Sequence, residues 1–192
     1  MRRKNNTEAI IQEELINMME HIPFTSIKVK DLVEHAEIGR STFYLYFDSI
    51  YSVLQKIEDD LFFKLTSDLD KNIEYLASTI KNSSAKTEPE PLQLSAAERI
   101  KDNIRLFRVL SGPNGDPTFQ ARLNTRSRRQ LEKYLASKSS LDNAEKQLII
   151  EYATGGQWYM YRWWANHEDE ISTHDITILM EKITARISSL MR

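Results

Sequence analysis

The sequence predicts an all-α protein, and two observations carry that prediction. Five glycines and five prolines in 192 residues leave few places for turns. Apolar residues also recur every three or four positions through most of the chain, the period of helices with one buried face. A hydrophobic content of 41% is ample for a core, and 28% charged residues suit a soluble protein. The length fits one large or two small domains.

Taken in order, the chain opens on a short basic arm, residues 1–6, with Arg2, Arg3 and Lys4. The arm can reach DNA phosphates or a minor groove, or stay a solvated tail; both readings stand. Thr7 is placed to cap a first helix, with Glu8 in its first turn. Ile10, Ile11, Leu15, Met18 and Met19 supply that helix's apolar stripe, and Pro23 and Phe24 mark its end. Val29, Leu32, Val33 and Ala36 then give Lys28 to Ala36 one apolar face. Glu37-Ile38-Gly39 breaks the pattern, with Gly39 expected to supply the unusual backbone angles. A second helix restarts at Arg40. Phe43 and Phe47 face the core, and Ser41, Thr42, Leu45 and Tyr46 point away from it. Two helices joined in this way form a helix-turn-helix, whose second helix enters a DNA major groove. The competing reading is a plain helical bundle with a glycine turn.

The run AEIGRSTFYLYF, Ala36 to Phe47, resembles the recognition-helix signature of the tetracycline-repressor (TetR) family of bacterial transcription regulators. The match covers about Thr7 to Leu54, through the TFY-x-x-F run and the upstream VxxL pattern. It implies a DNA-binding domain at residues 1–48 and a regulatory and dimerisation domain at 49–192. The chain departs from the family's pattern at two points. Ile50 stands where the family usually has a phosphate-contacting lysine, with Asp48 beside it, and Glu37 occupies a turn position where glycine is usual. Loss of one phosphate contact weakens binding and lowers the salt slope by about one.

From Ser49 a long helical period runs through Ile50, Val53, Leu54, Ile57, Leu61, Leu65, Leu69, Ile73, Leu76 and Ile80. The resemblance makes this helix the connector between the two domains. A polar stretch at about 82–94, with Pro89 and Pro91, reads as a flexible loop. Ser95 and Glu98 have capping-box spacing and open a helix to about Ser111. Gly112 to Pro117 is a break, and the helix after it carries Phe119, Leu123, Leu131 and Leu135 beside Arg122, Arg126, Arg128 and Arg129. That basic patch suits a solvated face better than an acidic partner. Asp142 or Asn143 opens the next helix, which ends near Asn166; Ser172 with Asp175 caps the last.

Tyr152, Trp158, Tyr159, Tyr161, Trp163 and Trp164 crowd one helix around Gly155-Gly156. Two helical glycines cost roughly 2 kcal/mol of propensity, which close backbone packing would offset. The resemblance implies that the last two helices pair across a dimer, so Tyr161, Trp164, Ile176, Leu179, Ile183 and Ile187 are candidates for the core and interface together. The spacing from the glycine pair to Trp163-Trp164 is weakly similar to a subgroup with a compact regulatory domain, some of whose members answer to a protein partner. An aromatic pocket for a small apolar effector, lined by Phe107, Tyr152, Trp158 and Tyr159, is the competing reading.

Other classes fit poorly. The net charge of −2 means that DNA binding must rest on the placement of basic residues. Without cysteine there is no disulfide, thiolate metal site or thiol nucleophile. His167-Glu168 lacks a second histidine four residues on, where Ile171 stands, and no serine lies in a G-x-S-x-G context. No apolar run approaches the roughly 20 residues of a membrane span, and the charged N-terminus is not a secretory signal. The expectation is therefore a cytoplasmic, homodimeric, non-enzymatic regulator without cofactor or metal. It would bind a palindromic operator through Arg3, Lys4, Lys28, Lys30, Arg40, Ser41, Thr42, Tyr44 and Tyr46. A repressor released by a small effector is the leading form, and an activator or adaptor gated by a protein partner the alternative.

Overall fold

The computed structural model describes residues 2–66, 91–136 and 141–189. Its elements are α1 (Arg2–Met19), a 3-10 turn (Phe24–Ser26), α2 (Val29–His35), α3 (Arg40–Tyr44) and α4 (Ile50–Thr66), then α5 (Pro91–Asp102), α6 (Ile104–Ser111), α7 (Phe119–Ala136), α8 (Asn143–Ala165) and α9 (Thr173–Ser189). Every regular element among the described residues is helical, so the fold is all-α. The apolar period from Leu69 to Ile80 and the stretch 82–90 lie outside the described residues.

The chain forms two compact units, Met1–Phe63 with Arg105–Phe119, and Lys64–Ile104 with Gln120–Arg192. In the first unit α1 packs on α2, and α2 on α3. Its buried side chains include Ile11, Leu15 and Met19 of α1, Leu32 and Val33 of α2, Phe43 of α3, and Val53, Leu54 and Ile57 of α4. Ile10, expected on this stripe, is 38% exposed instead. It sits at the edge of the apolar arc, one residue before the fully buried Ile11. The first helix starts at Arg2, so Thr7 is an interior position and not a cap. Arg2 to Asn6 contain no glycine or proline, and arginine and lysine are good helix formers, so nothing upstream stops the helix.

The end of α2 differs from expectation in an informative way. The Ile38 amide donates to the Val33 carbonyl (3.0 Å) and the Glu37 amide to the Glu34 carbonyl (3.2 Å). This pair of bonds is a Schellman stop, which needs a left-handed residue at its centre. That residue is Glu37, with φ 51°, while Gly39 is extended at φ −76°, ψ 150° and precedes α3 as its N-terminal cap. The unusual angles therefore fall on the glutamate that departs from the family's glycine.

In the second unit α9 packs on α5 and α8, and α5 packs on α8. Proline suits the first turn of a helix, where its missing N–H would have no acceptor anyway, so α5 begins at Pro91, four residues before Ser95. It stops at Asn103, whose amide donates to the Ile100 carbonyl (3.1 Å), so Pro91 to Ser111 is two helices and not one. The start of α8 matches its sequence signal. The Glu145 amide donates to Asp142 Oδ1 (2.8 Å) and the Asp142 amide to Glu145 Oε2 (2.9 Å). Ser172 caps α9 by accepting from the Asp175 amide (3.1 Å). The Trp164 indole donates to the Ile171 carbonyl (2.8 Å), tying the end of α8 to the loop before α9. Leu135 and Ile150 are buried together against Leu131, Leu141 and Ile149.

A non-glycine residue held in the left-handed region costs about 1 kcal/mol per residue or more, partly offset in glycine by its greater chain entropy. Glu37→Gly is expected to raise the urea-unfolding free energy by about 0.5 kcal/mol. Glu37→Val should lower it, since a β-branched side chain tolerates that region worst.

Candidate nucleic-acid interface

α3 is only five residues long, and an isolated helix of that length has no stability of its own. Packing sets its orientation. Phe43 is 0% exposed and Phe47 7% exposed, with their rings 6.1 Å apart. Phe43 also meets Tyr44 edge to face, at 5.3 Å and 86°. With Phe43 turned inward, neighbouring positions of the turn must face outward. Arg40 and Ser41 are exposed, Thr42 and Tyr46 half-buried, and Tyr44 57% exposed. The helix ends at Tyr44, and Leu45 and Tyr46 follow in a turn closed by the bonds from the Leu45 amide to Thr42 O (3.2 Å) and the Tyr46 amide to Phe43 O (2.9 Å).

Leu45 is 77% exposed, more than any other large hydrophobic among the described residues. Sequence reading turned it outward but gave it no role. Such a residue loses nothing by leaving water for the methyl of a thymine. Lys28, the residue preceding α2, and Lys30 within it are both exposed. Arg3 and Lys4 lie in the first turn of α1, so the expected separate arm is the start of a helix. At the start of α4, Ser49 and Ser52 cap each other: each side-chain oxygen accepts from the other residue's amide at 3.2 Å. Ile50, at the family's lysine position, is buried at 8% exposure, so it serves the core. Beside it Tyr51 is 65% exposed, its ring edge to face with Phe24 at 5.1 Å.

The expected effector residues fall in two different compact units. Phe107 is buried in the first unit, while Tyr152, Trp158 and Tyr159 belong to α8 in the second. Of these three only Trp158 is buried; Tyr152 and Tyr159 are 65% and 60% exposed. The expected interface residues divide likewise. Tyr161, Trp164 and Ile176 are buried inside the chain, and burial pushes the Tyr161 phenol far above the usual tyrosine range. Leu179 is 43% exposed, Ile183 is half-buried, and the side chain of Ile187 lies outside the described residues. The outward apolar positions of α8 are Leu148, Tyr152, Tyr159 and Trp163. These residues share one helical face with Gly155 and Gly156. Among the described residues, a Cβ on either glycine would meet nothing within 4 Å, so no described neighbour packs closely against the pair. In the basic patch, Arg128 is engaged with Glu151 and with Gln147 (3.2 Å). Among the described residues there is no acidic or histidine cluster suited to a metal, and no helix is long and apolar enough to cross a membrane.

A short outward-facing helix set by a helix-turn-helix, ahead of a larger helical unit, defines the class of DNA-binding transcription regulators. Comparisons with known proteins name the family. The TetR-type model described as a transcriptional regulator C-terminal region matches residues 87–186, just over half of the chain. The chain belongs to the TetR family of transcriptional regulators. Its fold is like that of a TetR transcriptional regulator from Streptococcus agalactiae 2603V, at 19% identity, covering 100% of this chain and 96% of that one, with a TM-score of 0.61. It is also like that of the dihydroxyacetone kinase operon activator DhaS, at 18% identity over 96% of each chain, TM-score 0.52. A comparison with curated proteins finds no match. Family members are DNA-binding regulators and not enzymes, and they act as dimers.

Phe43→Ala is expected to cost about 3–5 kcal/mol, the range for emptying a buried aromatic site. Leu45→Ala should stay within about 0.5 kcal/mol of wild type, as exposed positions do. Urea titration followed by circular dichroism separates the two.

Proposed function

We propose that the protein is a cytoplasmic homodimer that binds a palindromic operator through the outward face of α3. The observation that carries this reading is the inward lock of Phe43, which leaves Arg40, Ser41, Thr42, Tyr44 and Leu45 free to meet DNA. Arg40 takes a base edge or phosphate, Ser41 and Thr42 hydrogen-bond to bases or phosphates, and Tyr44, Leu45 and Tyr46 meet phosphate and thymine methyls. Lys28 and Lys30 hold the backbone, with Arg3 and Lys4 in support. Half-sites then lie about one helical turn or a multiple apart. Fluorescence anisotropy on DNA from upstream of the gene tests this. Tight binding that falls with salt, exceeds that to scrambled DNA, and weakens at least about tenfold in Tyr44→Ala is expected. Equal binding to both DNAs would refute it.

The dimer forms through the outward face of α8, with Leu179 of α9. Leu148, Tyr152, Tyr159 and Trp163 supply an apolar stripe, and Gly155-Gly156 lets a second backbone approach at its centre. Ile183 and Ile187 extend the α9 side. Gly156→Leu is expected to turn the dimer into a monomer in sedimentation velocity while raising the helix propensity of α8 by about 1 kcal/mol. An unchanged dimer would contradict this interface.

Repression by occupying a promoter, relieved by a small apolar effector, is the leading mode. A second reading, activation through a protein partner, draws support from the likeness in fold to DhaS. The exposure of Tyr152 and Tyr159 adds to it, since exposed aromatics suit a protein surface as a partner. Deleting the gene in a promoter–reporter strain separates the modes: loss of a repressor raises expression, and loss of an activator lowers it.

A further inference from the structure

Residues 105–119 fall inside the matched C-terminal region, yet they belong to the same compact unit as α1, α2 and α3. The segment is entered through the break at Asn103, whose side chain donates to the Arg99 carbonyl (2.9 Å) and closes α5. Phe107, Leu110 and Phe119 are each 1% exposed, so its apolar side is committed to the interior. The chain then doubles back tightly, since a Cβ on Gly115 would sit 2.1 Å from the Leu110 carbonyl oxygen.

Two polar fastenings hold the segment, one to α1 and its end, the other to the turn that follows it. Arg105 donates from Nε to Glu20, from Nη1 to Glu13 and from Nη2 to Asn17, each at 2.6 Å. Glu13 and Asn17 lie one turn apart on one face of α1, and Glu20 stands one residue past its end. The bonds to Glu13 and then Glu20 raise the Arg105 pKa. At the far end, the Phe24 amide donates to the Asn114 carbonyl (2.8 Å), and Asn114 Nδ2 to the Glu20 carbonyl (3.4 Å). α1 in turn packs on α2, and α2 on α3.

We propose that Arg105 is a positioning residue for DNA recognition. It fixes the register of the 105–119 segment on α1, and so sets the orientation of the α2–α3 pair from a part of the chain far outside the helix-turn-helix. Apolar burial supplies adhesion but little direction. A planar guanidinium held by three acceptors resists both sliding and rotation. Arg105 is 47% exposed and Glu13 59%, and exposed ion pairs add little to stability. The role of Arg105 is therefore geometric, and its loss should show in local order and DNA affinity before it shows in unfolding.

The inference rests on α3 meeting DNA, so the test carries one readout that needs no DNA. Full-length wild type, Arg105→Ala, Arg105→Lys and the swap Glu13→Arg with Arg105→Glu are compared. Trp158, Trp163 and Trp164 all lie in α8, so tryptophan fluorescence in urea reports the second unit; its midpoint should not move. Amide exchange in residues 13–20 and in α2–α3 should quicken about fivefold in Arg105→Ala. The DNA dissociation constant should rise about tenfold with an unchanged salt slope, and the swap should recover part of both effects. Unchanged exchange in α2–α3 overturns the proposal whether or not DNA binds. An unchanged dissociation constant, where wild type binds, overturns it too. A salt slope flatter by about one would mean that Arg105 meets a phosphate directly, which also overturns it. Wild type that binds no DNA sinks the DNA reading alone, and the exchange data still decide the positioning role.

Discussion

Five residues of helix cannot choose a direction, and α3 takes its direction from one buried ring. Phe43 sits with no exposure between Phe47 and the edge of Tyr44. The outward face of α3 follows from that placement, because the helical period turns Arg40, Ser41 and Tyr44 to the other side. The turn before α3 serves the same end. A Schellman stop ends α2 cleanly, and the chain accepts a left-handed glutamate at its centre to do so. The backbone cost at Glu37 is small beside the burial of Phe43, so it adjusts stability without changing the fold.

α8 meets a different demand. Its inner face carries Ile150, Thr154, Trp158, Tyr161 and Ala165, all buried. Thr154 can lie there because its hydroxyl donates to the Ile150 carbonyl at 2.8 Å. Its outer face is apolar as well, with two glycines at the middle that meet no close neighbour among the described residues. A helix apolar on both sides is designed to be covered twice. At the exposed end of α8, Trp163 lies flat on His167, 4.0 Å between centroids, which holds the indole in place.

Sequence signals with local chemistry were legible to within a residue. Of the two openings offered for α8, Asp142 is the cap; Ser172 with Asp175 marked the start of α9, and Phe43 with Phe47 the inward side of α3. What failed needed tertiary information. Periodicity shows that α8 has two apolar faces but not which one the chain keeps, so Tyr161 and Trp164 could be given only to core and interface together; both are buried within the chain. A capping residue such as Thr7 or Ser95 marks a helix start only if the chain before it stops, and Arg2 to Asn6 and Pro91 to Leu94 do not stop. The break at Asn103 carries no glycine or proline. Nor does any local pattern reveal that Arg105 reaches Glu13, Asn17 and Glu20, some 90 positions away in and just after α1.

The most direct measurement of the central claim is selection of bound sequences from a random DNA pool, by wild type and by Leu45→Ala. An α3 face held outward by Phe43 in a two-fold dimer predicts an inverted-repeat motif, with a thymine preference lost at one symmetric pair of positions in the variant. A wild type that enriches no symmetric motif, or a variant that enriches an identical one, would contradict it.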